Sequence, residues 1–472
     1  MKKSFPIQIY LFALILRLIP VLLTRGLGIG LDDMFQYDML ARSLASGQGY
    51  RWYAQSDLKL LEPYVKFDLS TAKGYDPEHG LYTSFRAPLY PTFLAIVYFF
   101  SGLDFSRFFA ARLAQVIFLG APLAPLTYLV SCQLLPDSEK TAKISAWIVA
   151  AYPMLLVYPL GLGTENPFFI LLLASFFFLL KSINQPTILN FLLSGIFLAL
   201  TTLTRSVILP FVGIAILYLT YLHGRKVLFA GIVFVLIISP WVIRNSLLHH
   251  KLTGVETSMG YNLYLGYHPK GNGSFVFGPS LDLLTIMDDA ERDQVGTQLA
   301  IGFIKDQPER FIPLAVNRLG FFFGLEKRVL MYFYSNNLLG YIPRAALSLI
   351  SLILLLPFVC VSILAVFGFA SLKWDSRTWL LFLLFLTYIL PHVLILAEDR
   401  FHLALIPYLA ILAAYSTVLI GSGKLQLSRI ALTLSIALVA LLFLNWGLEL
   451  HRDADKITLL FGPDGNKTYF PY

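Results

Sequence analysis

Cysteine is nearly absent from this 472-residue chain: Cys132 and Cys360 are its only two, each inside an apolar run. That excludes a disulfide framework and a cysteine-ligated metal. Charge is scarce as well. Only 14% of residues are Asp, Glu, Lys or Arg, against roughly a quarter in soluble domains. A Walker-type or Rossmann glycine pattern is missing, so no nucleotide site is read. Internal repeats and low-complexity tracts are missing too. What is there in abundance is apolar: 57% of residues are hydrophobic, the composition of an integral membrane protein. The net charge of +8 would raise nucleic acid as a partner of a soluble protein; here the placement of Lys and Arg around the apolar runs is what carries information.

Eleven runs are as long as the roughly 20 residues that cross a bilayer, or marginally shorter: 5–24, 108–134, 144–161, 165–181, 188–204, 207–222, 227–243, 345–372, 379–397, 401–420 and 430–446. The run 88–102 is apolar but short and opens with prolines, which fits a helix lying on the membrane surface. Treated so, it brings Lys2, Lys3, Lys140, Lys143, Lys181, Arg225, Lys226, Lys373, Arg377, Lys424 and Arg429 to one side, read as cytoplasmic. The N-terminal run lacks a small-residue cleavage site and is interrupted by Arg17, so a retained first helix is expected, with its N-terminus inside. Arg17 itself is either a paired interior residue or a snorkelling one. The expected organisation is an N-terminal transmembrane catalytic module, 1–246, including a first outer loop, 25–87. A large outer loop, 247–344, C-terminal transmembrane helices, 345–447, and an outer tail, 448–472, complete it.

The polar chemistry gathers on the outer side. Leu31-Asp32-Asp33-Met34-Phe35-Gln36-Tyr37 follows the first span and opens a short amphipathic helix that Gly47 stops, with Asp33, Tyr37, Leu40, Ala41 and Leu44 along one face. Arg86, Glu165, Arg205, Arg244 and Glu398-Asp399-Arg400-Phe401-His402 also fall at outer span ends. Carboxylates among arginines at one membrane face supply a general base and phosphate-binding forks together. Plainer roles stand beside this. Asp33 could be a helix N-cap, with Gln36 completing a capping box; Glu165 could cap the helix after it; Arg86 could simply pair with a nearby carboxylate; Arg244 and Arg400 could anchor at the interface. His249, His250, His268 and His402 have no trusted ligand spacing, while carboxylates from separate loops leave a divalent metal open. The glycines from Gly260 to Gly278 suggest either a loop that closes over a ligand or a static cap.

At the level of motifs the chain resembles the bacterial relatives of protein O-mannosyltransferases and lipid A aminoarabinose transferases, polytopic GT-C glycosyltransferases that use polyprenyl-phosphate sugars. The matching pieces are Asp33, Tyr37, Ala41, Leu44 and Gly47; Arg86-Ala87-Pro88-Leu89-Tyr90-Pro91; Tyr152-Pro153 with Thr164-Glu165; and Thr204-Arg205. Further on come Pro240-Trp241-Val242-Ile243-Arg244-Asn245, then Gly260-Tyr261-Asn262-Leu263-Tyr264-Leu265-Gly266, and finally Glu398-Asp399-Arg400-Phe401-His402 with Pro407. Met34 stands where the family often has Glu, and Phe401 where it has Tyr. The resemblance implies an all-α GT-C bundle of about eleven transmembrane helices, range 11 to 13, with extracytoplasmic juxtamembrane helices. It implies an inverting transfer from a polyprenyl-phosphate sugar donor to an envelope acceptor (protein, lipid or glycan) at the outer face of a bacterial inner membrane. Asp33 would accept the proton, with Asp32 beside it, and Arg86, Glu165, Arg205, Arg244, Asn262 and Arg400 would bind substrate. The rival class is a transporter or flippase of a lipid-linked saccharide; inverted repeats or helices broken at midplane, which would favour it, are not evident.

Overall fold

A computed structural model describes residues 4–67, 69, 72 and 74–470. Helices dominate. The strands among the described residues are Arg51–Trp52 and Leu81–Tyr82, paired antiparallel with Arg51 opposite Tyr82. Eight described helices are long and apolar enough to cross a membrane, nine if Glu139–Ala151 and Pro153–Leu160, which meet at 53°, form one bent span. One of the eight, Ser206–Leu248, has 43 residues, and at 1.5 Å per residue it reaches about 64 Å, roughly twice the hydrocarbon thickness. Gly224, at φ 67°, breaks it into Leu209–His223 and Leu228–Leu248, the two crossings expected there. The count of eleven then needs Ile188–Thr202, an apolar helix of only 15 residues. Leu89–Ser101, the run expected on the surface, is a 13-residue helix. It buries Tyr90, Leu94 and Tyr98 and leaves Ile96, Phe99 and Phe100 exposed.

Arg17 shows how a charge is kept inside such a bundle. It is fully buried in the first helix, Ser4–Leu23, and donates to Ala13 O at 3.3 Å, Ala150 O at 2.9 Å and Val149 O at 2.9 Å. The latter two carbonyls end the helix Glu139–Ala151, where Pro153 starts the next one and supplies no N–H. The guanidinium satisfies the orphaned carbonyls at the 53° bend, so the interior role, not snorkelling, is the one observed.

A second buried arginine sets up the functional end. Arg112 donates to Leu160 O at 2.8 Å, to Gly28 O at 2.6 Å and to Leu27 O, fixing the chain that enters helix Asp33–Ala45. That helix ends as its sequence suggests, with Ser46 as C-cap and Gly47 at φ 75°. Asp38 pins it sideways: its carboxylate accepts from Arg107 at 2.8 and 3.0 Å, from Arg42 at 2.8 Å and from Tyr98 Oη at 3.0 Å.

Segment 247–344 is largely helical, with Met259–Tyr267, Asp289–Asp306 and Phe311–Phe322 as its main elements. Two of its glycines serve close packing. A Cβ on Gly260 would lie 1.8 Å from Asp293 O, and one on Gly266 would lie 1.8 Å from Ile395 O. These two positions bring backbones together.

Candidate functional site

The site grows from the first turn of helix Asp33–Ala45. Asp32 is the N-cap, its Oδ1 accepting from Met34 N at 2.8 Å. The capping role considered for Asp33 therefore belongs to its neighbour, which leaves the Asp33 carboxylate free to project at the positive end of the helix dipole. Asp33 pairs with Arg86 through one oxygen, and its other oxygen lies 3.5 Å from Arg400 Nη2. Gln36 does not fold back to complete a capping box; its Oε1 accepts from Arg86 Nε at 2.8 Å. Tyr37, one turn on from Asp33, lies under the Arg86 guanidinium at 5.2 Å and places its hydroxyl 3.4 Å from Thr164 Oγ1.

Arg86 reaches this point because the chain around it is held from several sides. Tyr50 Oη donates to Arg86 O at 2.9 Å. Asp289 accepts from Ser84 N at 2.9 Å and from the Thr83 hydroxyl. Arg244 donates to Thr83 O at 2.5 Å and lies over the rings of Trp241, at 4.9 Å, and Tyr50, at 5.7 Å. Arg244 is thus a brace for the segment that carries Arg86, and the structure does not bring it to Asp33.

The opposite wall comes from two span ends. Glu165 begins helix Glu165–Asn184, and its Oε1 lies 2.9 Å from Arg205 Nη1 and 3.6 Å from Arg400 Nε. Arg400 therefore bridges Asp33 and Glu165, residues 132 positions apart in the numbering. Behind it Glu398 Oε2 lies 2.9 Å from Arg400 Nε and 2.8 Å from Arg328 Nη2. Glu256 Oε1 accepts from Ser206 N at 3.0 Å and Ser206 Oγ at 2.5 Å, fixing the residue after Arg205. Asn262 stays outside this network, half-buried on Met259–Tyr267, although its neighbour Tyr261 packs edge-on against Phe85, centroids 5.7 Å apart.

Of the expected residues, then, Asp33, Arg86, Glu165, Arg205 and Arg400 come together; Asp32 caps; Arg244 and Asn262 lie apart. Gln36, Glu256 and Arg328 were not anticipated. Gln36 could have been found as the site-facing neighbour of Asp33 one turn on, whereas nothing local marks Glu256 or Arg328. His402 is fully buried, with Nδ1 2.7 Å from Phe322 O and Nε2 3.1 Å from Glu326 Oε1. Among the described residues no three His, Cys, Asp or Glu side chains are grouped to hold a metal ion.

Asp33 sits in a recess with 39% of its side chain open. The surrounding protein pushes its carboxyl upward, but Arg86, then Arg400 and Arg205, outweigh that and hold it at about 2. Asp32 moves the other way, raised by the protein around it and by the charge of Asp33. The recess thus presents one firmly ionised carboxylate among several guanidinium groups. Such a set can take a proton and hold an anion at once.

No protein-family model and no curated protein matches the sequence. Among solved structures the chain is similar to the oligosaccharyltransferase of Archaeoglobus fulgidus in its apo form. The TM-score is 0.50 at 14% identity, over 100% of this chain and 60% of that one. The same enzyme in complex with Zn and sulfate gives a TM-score of 0.50 at 16% identity, over 99% of this chain and 57% of that one. ArnT from Cupriavidus metallidurans, bound to undecaprenyl phosphate, gives 0.39 at 13% identity, over 89% of this chain and 78% of that one. The chain spans about 60% of the length of the oligosaccharyltransferase structure it matches. The likeness is one of fold: this is an integral membrane protein with the polytopic, all-α GT-C architecture.

Proposed function

We propose that this protein transfers a sugar from a polyprenyl-phosphate donor to an envelope acceptor, at the extracytoplasmic face of the membrane and with inversion. The observation that carries the reading is the recess in which Asp33 is held ionised between Arg86 and Arg400, next to the Arg205–Glu165 pair. A fold shared with an oligosaccharyltransferase supports the general chemistry.

In this mechanism the acceptor hydroxyl approaches the Asp33 oxygen that faces Arg400. Its proton passes to that oxygen as the acceptor oxygen bonds to the anomeric carbon, and the bond from that carbon to the phosphate oxygen breaks. The electron pair leaves with the polyprenyl phosphate, whose growing charge Arg400 and Arg205 stabilise. A carboxyl held at about 2 is a weak base. A phosphate that draws Arg400 and Arg205 to itself relieves that hold, so donor binding would make Asp33 a better proton acceptor. The energy of transfer lies in the glycosyl-phosphate bond, which accords with the missing nucleotide motifs.

The test is sugar release from a polyprenyl-phosphate sugar by the purified protein. Asp33→Asn should lower it by about 10²- to 10⁴-fold, the usual size of a lost general base, in protein that is still folded. Undiminished turnover in that variant would remove Asp33 from the chemistry. Passage of an intact lipid-linked saccharide across a vesicle bilayer, without cleavage of its glycosyl-phosphate bond, would make the protein a transporter instead.

A further inference from the structure

Three successive charged residues lie between helices Phe311–Phe322 and Arg344–Ala370, and each goes to a different part of the molecule. Glu326 accepts from Tyr152 Oη at 2.6 Å and faces His402 Nε2 at 3.1 Å. Lys327 Nζ lies 2.6 Å from Glu449 Oε1 and also pairs with Asp453, both at the end of helix Arg429–Arg452. Arg328 pairs with Glu398 at 2.8 Å and lies 3.8 Å from Asp399.

The same helix end also grips the backbone of this segment. Glu449 Oε2 accepts from Leu325 N at 2.8 Å, Trp446 Nε1 donates to Phe323 O at 2.9 Å, and Asn445 Nδ2 donates to Gly320 O at 3.0 Å. Buried charge pairs and backbone bonds of this kind keep one geometry, because losing either partner strands the other out of water.

Arg400 depends on what this segment delivers. Its contacts to Asp33 and Glu165, at 3.5 and 3.6 Å, are long, whereas Glu398 stands at 2.9 Å from Nε, a charge contact that is not aligned as a hydrogen bond. Coulomb attraction falls with distance, so Glu398 pulls on the Arg400 guanidinium more strongly than either of the other two carboxylates. Glu398 is in turn shared with Arg328 at 2.8 Å.

We propose that Glu398 and Arg328 are positioning residues that hold the Arg400 guanidinium over the Asp33 recess, and that Lys327 anchors this pair to the end of helix Arg429–Arg452. The donor-binding part of this rests on the recess being the donor phosphate site. The arrangement links the last long helix to Arg400 through Lys327, Arg328 and Glu398. It requires no contact between these three residues and the substrate.

The experiment uses the full chain, undecaprenyl phosphate as the binding probe, and a structure of one variant. Glu398→Gln keeps the shape and can still accept a hydrogen bond but drops the charge. It should weaken probe binding about tenfold in an otherwise native protein and less than about twofold in an Arg400→Lys background, since the effect passes through Arg400. A merely structural residue would lower binding equally in both backgrounds, and that result overturns the proposal. Lys327→Met should weaken binding by several-fold while Lys327→Arg restores it; equal binding in wild type and Lys327→Met removes the anchor. The structure of Glu398→Gln decides the positioning without any ligand. Arg400 should leave its place between Asp33 and Glu165, and an unmoved Arg400 overturns the claim. If wild type fails to bind undecaprenyl phosphate, the donor reading falls, and the variant structure still settles whether Glu398 positions Arg400.

Discussion

Helix Asp33–Ala45 carries two aspartates five positions apart, both faced by two arginines, and they have opposite fates. Asp38 is 1% exposed and receives Arg107 at 2.8 and 3.0 Å, Arg42 at 2.8 Å and the Tyr98 hydroxyl at 3.0 Å. Asp33 is 39% exposed, with Arg86 close on one oxygen and Arg400 at 3.5 Å from the other. Both are acids beside arginines, so residue type and pairing do not separate a structural carboxylate from a functional one. What separates them is saturation. Asp38 has its acceptor capacity used and is closed to solvent, while Asp33 keeps an oxygen that a substrate can reach.

The largest effects expected are those that break this contrast. Asp33→Asn should abolish nearly all transfer and leave the fold intact, by the factor already given. Asp38→Asn should do the reverse. It leaves Arg107 and Arg42 facing a neutral amide, and breaking a buried pair on one side destabilises by about 3 kcal/mol, read as a lower unfolding midpoint in detergent. Whatever Asp38→Asn protein remains folded should turn over near the wild-type rate. If both variants lost activity and stability in parallel, saturation would not be the distinguishing property.

The arginines extend the comparison at a smaller scale. Arg86 uses two nitrogens, one on Asp33 and one on Gln36 at 2.8 Å. Arg86→Lys retains the charge but can occupy only one of these acceptors. Loss of one charged hydrogen bond of about 1.5 kcal/mol corresponds to roughly a tenfold fall in kcat/KM. Arg107→Lys, on the saturated side, should lower the unfolding midpoint without altering kcat/KM. A fall in kcat/KM for Arg107→Lys as large as for Arg86→Lys would mean that Asp38 reaches the chemistry.

How far the sequence discloses all this depends on distance along the chain. The site helix was legible because its signals are local: an acid at its start, Tyr37 one turn on, and Gly47 at its end. The membrane runs were legible for the same reason, although the 15 residues of Ile188–Thr202 and the break at Gly224 blur the number of crossings. Arg86, Glu165, Arg205 and Arg400 could be nominated from their places at span ends. The partners could not. Arg17 meets carbonyls 132 and 133 positions away, and Arg328 meets Glu398 70 positions away. Such pairs are set by which helices pack together, and no periodicity records that. Arg244 illustrates the same limit: its place at a span end is local, and only the fold shows that its guanidinium turns to Thr83 O.

The pH response of Asp33 sharpens the contrast further. The folded carboxyl of Asp33 lies at about 2, below the ordinary 3.8. Its depressed value means that the ion pairs stabilise the protein above the ordinary carboxylate range, and that this contribution is lost as pH falls through about 2. Between pH 5 and 8 the charge of Asp33 is therefore constant in the free protein. Since kcat/KM reports the free enzyme, it should show no acid limb from Asp33 in that range, while any limb in kcat reports the donor-bound state. A kcat/KM midpoint near pH 6 that shifts in Arg86→Lys would show that Arg86 does not hold Asp33 ionised at rest.

The smallest effect belongs to Asp32, the acid nearest to Asp33 in the chain. Its Oδ1 accepts from Met34 N at 2.8 Å, the bond that satisfies one free donor of the helix start. Asn caps a helix about as well as Asp, so Asp32→Asn should keep both stability and turnover within about twofold of wild type. Asp32→Ala removes the cap and should lower stability by about 1 kcal/mol. Turnover of the folded Asp32→Ala protein should stay close to native, because Asp33 is still held by Arg86 and by the start of the same helix. The pair of variants separates capping from chemistry: capping predicts loss in Ala and none in Asn, while a proton-transfer role predicts loss in both. Turnover in Asp32→Asn as low as in Asp33→Asn would move the base one residue toward the N-terminus and undo the assignment made from both the motif and the recess.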